Sequence, residues 1–246
     1  MPTLSESLQL AFQYHRANRL AEANEVYNKI LEKQPHHPDA LYGLGMLAKQ
    51  VGQYQSAEKL FNLAVQVQPK SAKAWFSLGN LYQAQGKLKE AELAYKEVLA
   101  LQPDSLAVYN NLGYTFQQQG LWDEAIACYE KALKIQPDCT EADVNLANAL
   151  HTQGKLPAEK QAHYAGLNND LGMTQKKAGN LKNAIACYQQ AIVLQPTLAS
   201  AHYNLGVALQ QQRQFEDALS CYQRALELNP NDVELRDFII IYQGLL

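Results

Sequence analysis

Four cysteines and six histidines are the side chains of this sequence best suited to metal binding, disulfide formation or nucleophilic chemistry. The cysteines are Cys128, Cys139, Cys187 and Cys221. None of them belongs to a CxxC pair, so we expect packed thiols rather than a metal site or disulfides. His36 and His37 are adjacent, but they precede Pro38 in a segment typical of a turn, and we expect no metal there.

Catalytic and cofactor-binding motifs are missing from the sequence, which has no P-loop, GxGxxG, HExxH or GxSxG. We therefore expect no enzyme activity and no cofactor. The net charge of -3 gives no electrostatic basis for binding nucleic acid. No apolar run reaches the roughly 18 residues of a membrane span, and the N-terminus lacks the features of a signal peptide. The sequence thus predicts a cytoplasmic protein without membrane insertion.

A period of 34 residues organises the chain. It is visible in the spacing of Pro35, Pro69, Pro103 and Pro137, and again in that of Pro196 and Pro230. Between Pro137 and Pro196 lie 59 positions, nine fewer than two periods would need. A period of this length indicates stacked supersecondary units, and the shortened interval indicates a register break near residues 155–170.

Residues 74–103 show what one unit contains. Trp75, Leu78 and Tyr82 are spaced as on one face of a helix, and Gly79 between them allows a close approach. Gly86 then ends this helix. A second apolar stripe follows with the spacing i, i+4, i+7, formed by Ala91, Tyr95 and Val98. The unit is therefore expected to be a helix-turn-helix that the next proline closes.

This pattern resembles the tetratricopeptide repeat, a helix-turn-helix of 34 residues. Units are expected to begin at Leu4, Pro38, Ala72, Leu106, Thr140, Ala165 and Ala199. Asn18 and Arg213 stand where the turn glycine of the pattern belongs, and Thr3 with Glu6 predicts a capping box. The resemblance implies an all-α, right-handed superhelix (α-solenoid) of about seven units, followed by a capping helix at 233–246.

The resemblance also implies a function: a non-catalytic scaffold for protein–protein interaction that binds a partner protein or an extended peptide in its concave groove. In this family the groove is lined by the first helix of each unit. Carried onto this chain, the groove positions are Lys73, Phe76, Asn80, Gln83, Asn110, Asn111, Tyr114, Gln117, Asn145, Asn148, His151, Lys176, Lys177, Tyr203 and Asn204. This lining is rich in amides and nearly uncharged.

Amide side chains both donate and accept hydrogen bonds, so a row of them could pair with the main chain of an extended peptide. The row Asn111, Asn145 and Asn204 is similar to the asparagine ladder in the repeat segment of O-linked N-acetylglucosamine transferases. The alternative function is accordingly the substrate-recruiting segment of a larger glycosyltransferase-type enzyme. An alternative to peptide binding is that these amides serve only as soluble, solvent-facing residues of the groove. A carboxylate clamp like that of heat-shock co-chaperones is disfavoured, because Phe76, Glu141 and Asn145 occupy the places that need basic residues.

The register break raises two structural possibilities for residues 157–179. The apolar positions 164, 167, 171 and 178 favour one unbroken helix from about Pro157 to Ala178. The alternative is a tight turn near Gly166, Asn168 and Asn169, which are poor residues for a helix interior.

The break also suggests how the chain is organised. We expect an N-terminal repeat block at 1–156 and a C-terminal block at 157–246. If the helices fuse, the blocks are expected to expose apolar faces, which a homodimer could cover by exchange of segments. The apolar segment from Phe238 onward in the capping helix is a second candidate surface for a homodimer or for a further element.

Overall fold

The protein is built entirely from helices and turns in residues 3–243, the part of the chain whose backbone the computed structural model describes; side chains are described for residues 3–240. The expected all-α fold of stacked helix-turn-helix units is confirmed. By its packing the chain divides into two compact units, residues 1–135 and residues 136–246. The repeat blocks 1–156 and 157–246 are defined by repeat phase rather than by packing, and they stay a prediction.

Unit 1 contains four helical pairs. Its helices are α1 Leu4–Arg16, α2 Leu20–Lys33, α3 Pro38–Gln50, α4 Tyr54–Val67, α5 Ala72–Ala84, α6 Leu88–Leu101, α7 Leu106–Gln118 and α8 Trp122–Ile135. Each of the four repeat starts predicted in this part of the chain is the first residue of a helix. The predicted capping box is also present, since the Thr3 hydroxyl accepts from the Glu6 amide at 3.2 Å and the Glu6 carboxylate accepts from the Thr3 amide at 2.7 Å.

Unit 2 contains the remaining helices that the structure describes. These are α9 Thr140–Thr152, α10 Ala158–Lys177, α11 Leu181–Leu194, α12 Ala199–Gln211, α13 Phe215–Leu228 and α14 Val233–Gln243. Helix α14 is the predicted capping helix, and residues 244–246 of that prediction lie outside the described residues. Leu235 and Ile239 of α14 are buried in a cluster with Tyr222 of α13.

Helix α10 settles the choice at the register break. It runs unbroken for 20 residues, with Pro157 as its N-cap and Ala178 as its C-cap, so the single long helix is confirmed and the tight turn is wrong. The predicted unit start at Ala165 therefore lies inside this helix rather than at its beginning. The buried positions are Ala165, Asn168, Asn169 and Gly172, one residue out of step with the apolar stripe of the sequence. Two asparagines, Asn168 and Asn169, therefore face the interior.

Glycines in the first helices make room for aromatic rings. A Cβ atom at Gly79 would lie 2.7 Å from the Tyr95 ring, and one at Gly172 would lie 2.6 Å from the Tyr188 ring. The same contact recurs between Gly113 and Tyr129. The sequence predicts a close approach at Gly79, and in the structure the group that approaches is the Tyr95 ring of the second helix in the same pair.

The turn between the two helices of a unit uses a left-handed residue. Gly86 has φ +72° and Gly179 has φ +81°, and a Cβ atom at either position would have no atom within 4 Å. Asn18 (φ 58°) and Arg213 (φ 63°) adopt the same conformation, as their places in the repeat predicted. For a residue with a Cβ atom, the left-handed backbone conformation is less stable by about 1–2 kcal/mol. Asparagine is tolerated there because its short polar side chain can hydrogen-bond locally, and arginine lacks such a group.

Arg213→Gly is therefore expected to stabilise the protein by about 0.5–1 kcal/mol, because the Arg213 side chain is exposed and glycine removes the backbone strain. Urea unfolding followed by circular dichroism measures the change. The matched control Gly179→Ala should shift the midpoint the opposite way by a similar amount. A loss of stability in Arg213→Gly would contradict the assignment of strain to this turn.

Candidate functional site

The predicted groove positions lie on the first helices of successive pairs, and these helices contact one another within each unit. In unit 1, α1 contacts α3 and α5 contacts α7; in unit 2, α10 contacts α12. Within each unit, the predicted groove side chains of neighbouring first helices therefore share one surface, which we call the first-helix surface.

Asn80 and Asn111 form the centre of the surface in unit 1. Asn111 Nδ2 donates to Asn80 Oδ1 at 2.9 Å, and the same oxygen accepts from Tyr95 Oη at 2.7 Å. Both acceptor positions of Asn80 are thus used. The Asn80 amide N–H groups and Asn111 Oδ1 have no partner within residues 3–240. The pair leaves a donor and an acceptor side by side, which are the two groups that a peptide unit requires.

Gln83 fixes the position of this pair. Its Nε2 donates to the Asn111 carbonyl oxygen at 2.9 Å and to Thr115 Oγ1 at 2.8 Å. The Thr115 hydroxyl in turn donates to the Asn111 carbonyl at 2.8 Å. Helices α5 and α7 are thereby linked by side chains on both sides of Asn111. The amides are held by the fold before any ligand arrives, which lowers the entropic cost of binding.

Aromatic rings flank these amides. Tyr114 is 45% exposed on α7, and the ring centroid of Phe76 on α5 lies 6.2 Å from that of the buried Tyr95. Lys73 is not a free cation, because its ammonium lies 2.5 Å from an Asp39 carboxylate oxygen and over the Tyr42 ring. The surface therefore offers amide and aromatic groups with little net charge.

Two further predicted positions in unit 1 are directed inward. Asn110 is only 8% exposed. Gln117 accepts a hydrogen bond from the buried Tyr129 hydroxyl at 3.1 Å. Asn110 therefore offers little contact surface, whereas Gln117 is half-buried, as Asn111 is, and its side chain is held by the Tyr129 hydroxyl.

Unit 2 repeats the amide arrangement with different partners. Asn204 Nδ2 donates to Asn169 Oδ1 at 2.9 Å, joining α12 to α10. Asn148 and Asn168 form a reciprocal amide pair at 3.2 Å in each direction, and Asn168 Nδ2 also donates to the Tyr164 carbonyl at 2.9 Å. Asn168 is 1% exposed, so its pair is part of the packing between α9 and α10.

The other predicted positions of unit 2 are more open. Tyr203 is 45% exposed and packs against the ring of Tyr222. Lys177 is exposed, whereas Lys176, His151 and Asn145 are half-buried. The lysine pair is the main difference in charge from the uncharged surface around Asn111.

Tyr188 marks a local departure within unit 2. The Tyr222 hydroxyl of the following pair donates to the Gln210 side chain at 2.7 Å. The Tyr188 hydroxyl is buried and has no partner within residues 3–240. Lys176 occupies the place that Gln210 has in the next pair, and lysine cannot accept a hydrogen bond. Burial raises the pKa of the Tyr188 phenol, which keeps it neutral.

Sequence reasoning missed the contribution of Asn168 and Thr115. Both are buried polar residues whose partners lie on another helix. The only sequence indication was negative: two asparagines inside a helical stretch at 168 and 169 need buried partners or solvent. Nothing in the spacing identified which partners they have.

The cysteines are free thiols in the structure. Burial raises the pKa of Cys128 and of Cys187 to about 11, so both are protonated at neutral pH and poor nucleophiles. Within residues 3–240, no group of three or more histidine, cysteine, aspartate or glutamate side chains is arranged to hold a metal. Among the helices described, none is long and apolar enough to cross a bilayer.

Comparison with protein families identifies the repeat. Tetratricopeptide repeat models match residues 107–139 and 199–232, and a TPR repeat model matches residues 176–213. The model of the middle TPR-like domain of cilia and flagella-associated protein 70 matches residues 8–102. No curated protein sequence matches the chain significantly.

Solved structures share the fold. A tetratricopeptide repeat protein from Parabacteroides merdae has a TM-score of 0.62 at 15% identity, with 98% of each chain covered. Pseudomonas aeruginosa PilF has a TM-score of 0.57 at 17% identity, with 96% of each chain covered. YrrB, described as a TPR protein with an unusual peptide-binding site, has a TM-score of 0.51 at 18% identity, with 91% of this chain and all of YrrB covered. At these identities the likeness concerns the fold.

Proposed function

Because the chain is a tetratricopeptide repeat protein, a family of protein-interaction scaffolds, we propose that it binds an extended peptide on the first-helix surface and has no catalytic activity of its own. The observation that carries the proposal is the Asn80–Asn111 pair, which leaves an amide donor and an amide acceptor unused beside the exposed ring of Tyr114. YrrB, which shares the fold, is described as having a peptide-binding site, and this supports a peptide as the class of ligand.

An extended peptide presents carbonyl oxygens and N–H groups at regular intervals. The Asn80 amide N–H donates to a peptide carbonyl, and Asn111 Oδ1 accepts from a peptide N–H. Tyr114 covers an adjacent side chain with a rigid aromatic surface of low conformational entropy. Recognition then rests on the main chain of the peptide and on one aromatic contact, and it requires no charged group in the ligand.

The experiment uses linear peptides selected on the wild-type chain from a displayed random library, with affinities measured by fluorescence anisotropy. Asn111→Ala is expected to weaken binding roughly fivefold, which is the loss of about 1 kcal/mol for one hydrogen bond. Asn111→Ala with Tyr114→Ala is expected to weaken binding by tens-fold. Asn111 is the better choice than Asn80, because its removal leaves the Tyr95–Asn80 bond intact.

The matched control is Asn28→Ala, an exposed asparagine on the second helix α2 that hydrogen-bonds only to its own helix at Asn24. It should leave affinity unchanged. Peptides with a C-terminal amide should bind as well as those with a free carboxylate, because Lys73 is already paired with Asp39. Equal affinity of Asn111→Ala and wild type, with the helical spectrum intact, would remove the basis of the proposal.

A further inference from the structure

An apolar groove lies between α1 and α2, away from the first-helix surface around Asn111. It encloses about 390 Å³ and is lined by Leu4, Ser7, Leu10, Val26, Lys29, Ile30 and Lys33. Four of these side chains are aliphatic and two are lysines. We call this feature the N-terminal groove. Its composition suits an apolar surface that also carries negative charge.

One lysine of the N-terminal groove is available for a partner. The Lys29 ammonium lies 2.5 Å from a Glu25 carboxylate oxygen on the same helix. Lys33 is exposed and has no ion pair among the side chains of residues 3–240. Lys33 is therefore the lysine of the groove that can form an ion pair with a negatively charged group of a partner.

Helix α14 of the same chain has the complementary character. Leu235 and Ile239 face α13, which leaves Val233, Asp237 and Ile240 on the outer side at i, i+4 and i+7. Val233 is 58% exposed and Ile240 is 62% exposed. These two apolar residues with a carboxylate between them form a stripe that we call the α14 stripe.

Asp237 is free to pair with a partner. It is exposed and makes no ion pair or hydrogen bond with the described side chains of residues 3–240. The neighbouring Arg236 does not compete for it, because its guanidinium donates to the Pro230 carbonyl at 2.5 Å. The α14 stripe therefore combines exposed apolar area with a carboxylate that makes no ion pair among the described side chains of residues 3–240.

We propose that the α14 stripe of one copy docks into the N-terminal groove of a second copy. Val233 and Ile240 pack on the aliphatic floor, and Asp237 pairs with Lys33. A second copy is the occupant that the structure supports, since the same chain carries both the apolar groove with a free cation and the apolar helix with a free carboxylate. The contact uses neither Asn111 nor Tyr114, so it is independent of peptide binding.

Two different surfaces meet in this contact, so it is heterologous: successive copies form a closed assembly where the rotation between them closes, and a longer chain of copies where it does not. The docking helix has 11 residues, a length of about 16 Å, so the contact is smaller than a standard stable interface. Association is therefore weak and depends on concentration.

Sedimentation equilibrium of the full chain in low salt tests the proposal. The weight-average mass is expected to rise above that of the monomer between about 1 and 500 µM, and less steeply in about 0.5 M NaCl, where exposed charge pairs are screened. Lys33→Glu and Asp237→Lys should each weaken association at least about tenfold. The combined Lys33→Glu/Asp237→Lys variant should restore it to within about threefold of wild type, because the pair is re-formed with reversed charge.

Lys182→Glu is the matched control, since Lys182 is an exposed lysine of α11 outside both surfaces. It should associate as wild type does. Ile240→Asp should abolish association, with the helical spectrum unchanged. A monomer mass at every concentration would overturn the proposal. So would association that persists in Lys33→Glu, or a combined variant as weak as the single variants.

Discussion

Gly166→Pro is expected to destabilise the protein by about 3 kcal/mol or more, because residue 166 is the ninth residue of the continuous helix α10. Proline there removes the N–H that would donate four residues back and places its ring against the carbonyl at that position. No atom lies within 4 Å of a Cβ at Gly166, so contacts with other elements do not contribute to the loss. The substitution therefore reports on helix continuity itself.

The measurement is urea unfolding followed by circular dichroism at 222 nm. Fluorescence is unsuitable, because Trp75 and Trp122 both lie in unit 1 whereas α10 lies in unit 2. Ala158→Pro is the matched control: it places proline at the first helical residue, where no N–H bond is lost, and should change stability by less than about 0.5 kcal/mol. Gly166→Ala should add about 1 kcal/mol. Equal tolerance of proline at 158 and 166 would contradict the single helix.

Tyr188→Ala is expected to lower the free energy of unfolding by about 3–5 kcal/mol. The ring is fully buried among Ala184, Leu205 and Ala208, and it fills the space that Gly172 leaves open. Its removal creates a cavity that surrounding helices cannot close without moving. The same urea titration measures the loss.

Removal of the Tyr188 hydroxyl alone should raise the free energy of unfolding. Because it is buried without a partner within residues 3–240, Tyr188→Phe removes an unsatisfied polar group and should stabilise the protein by about 1 kcal/mol. The matched substitution Tyr95→Phe should destabilise by about 1 kcal/mol, since the Tyr95 hydroxyl donates to Asn80 at 2.7 Å. Equal effects of the two phenylalanine variants would show that the Tyr188 hydroxyl has a partner.

The sequence alone was sufficient for the repeat, most helix starts and the turns, because these depend on interactions within a few residues. Gly86 needed a left-handed conformation to reverse the chain, and the repeat placed Arg213 at the equivalent position. The continuity of helix α10 was favoured by its apolar spacing, but its buried face lies one residue away from that spacing and includes two asparagines.

The tertiary structure decided which polar side chains are buried and which remain available. Asn168 and Asn169 are indistinguishable from solvent-facing residues by hydropathy, yet each is buried because an amide on another helix satisfies it. Asn80 and Asn111 were both predicted as groove residues, but their pairing decided which donor and which acceptor stay free. These outcomes depend on side chains 20 to 35 residues apart meeting at about 3 Å. A periodic pattern specifies the face of a helix, whereas the hydrogen-bond partner is fixed only when the helices pack.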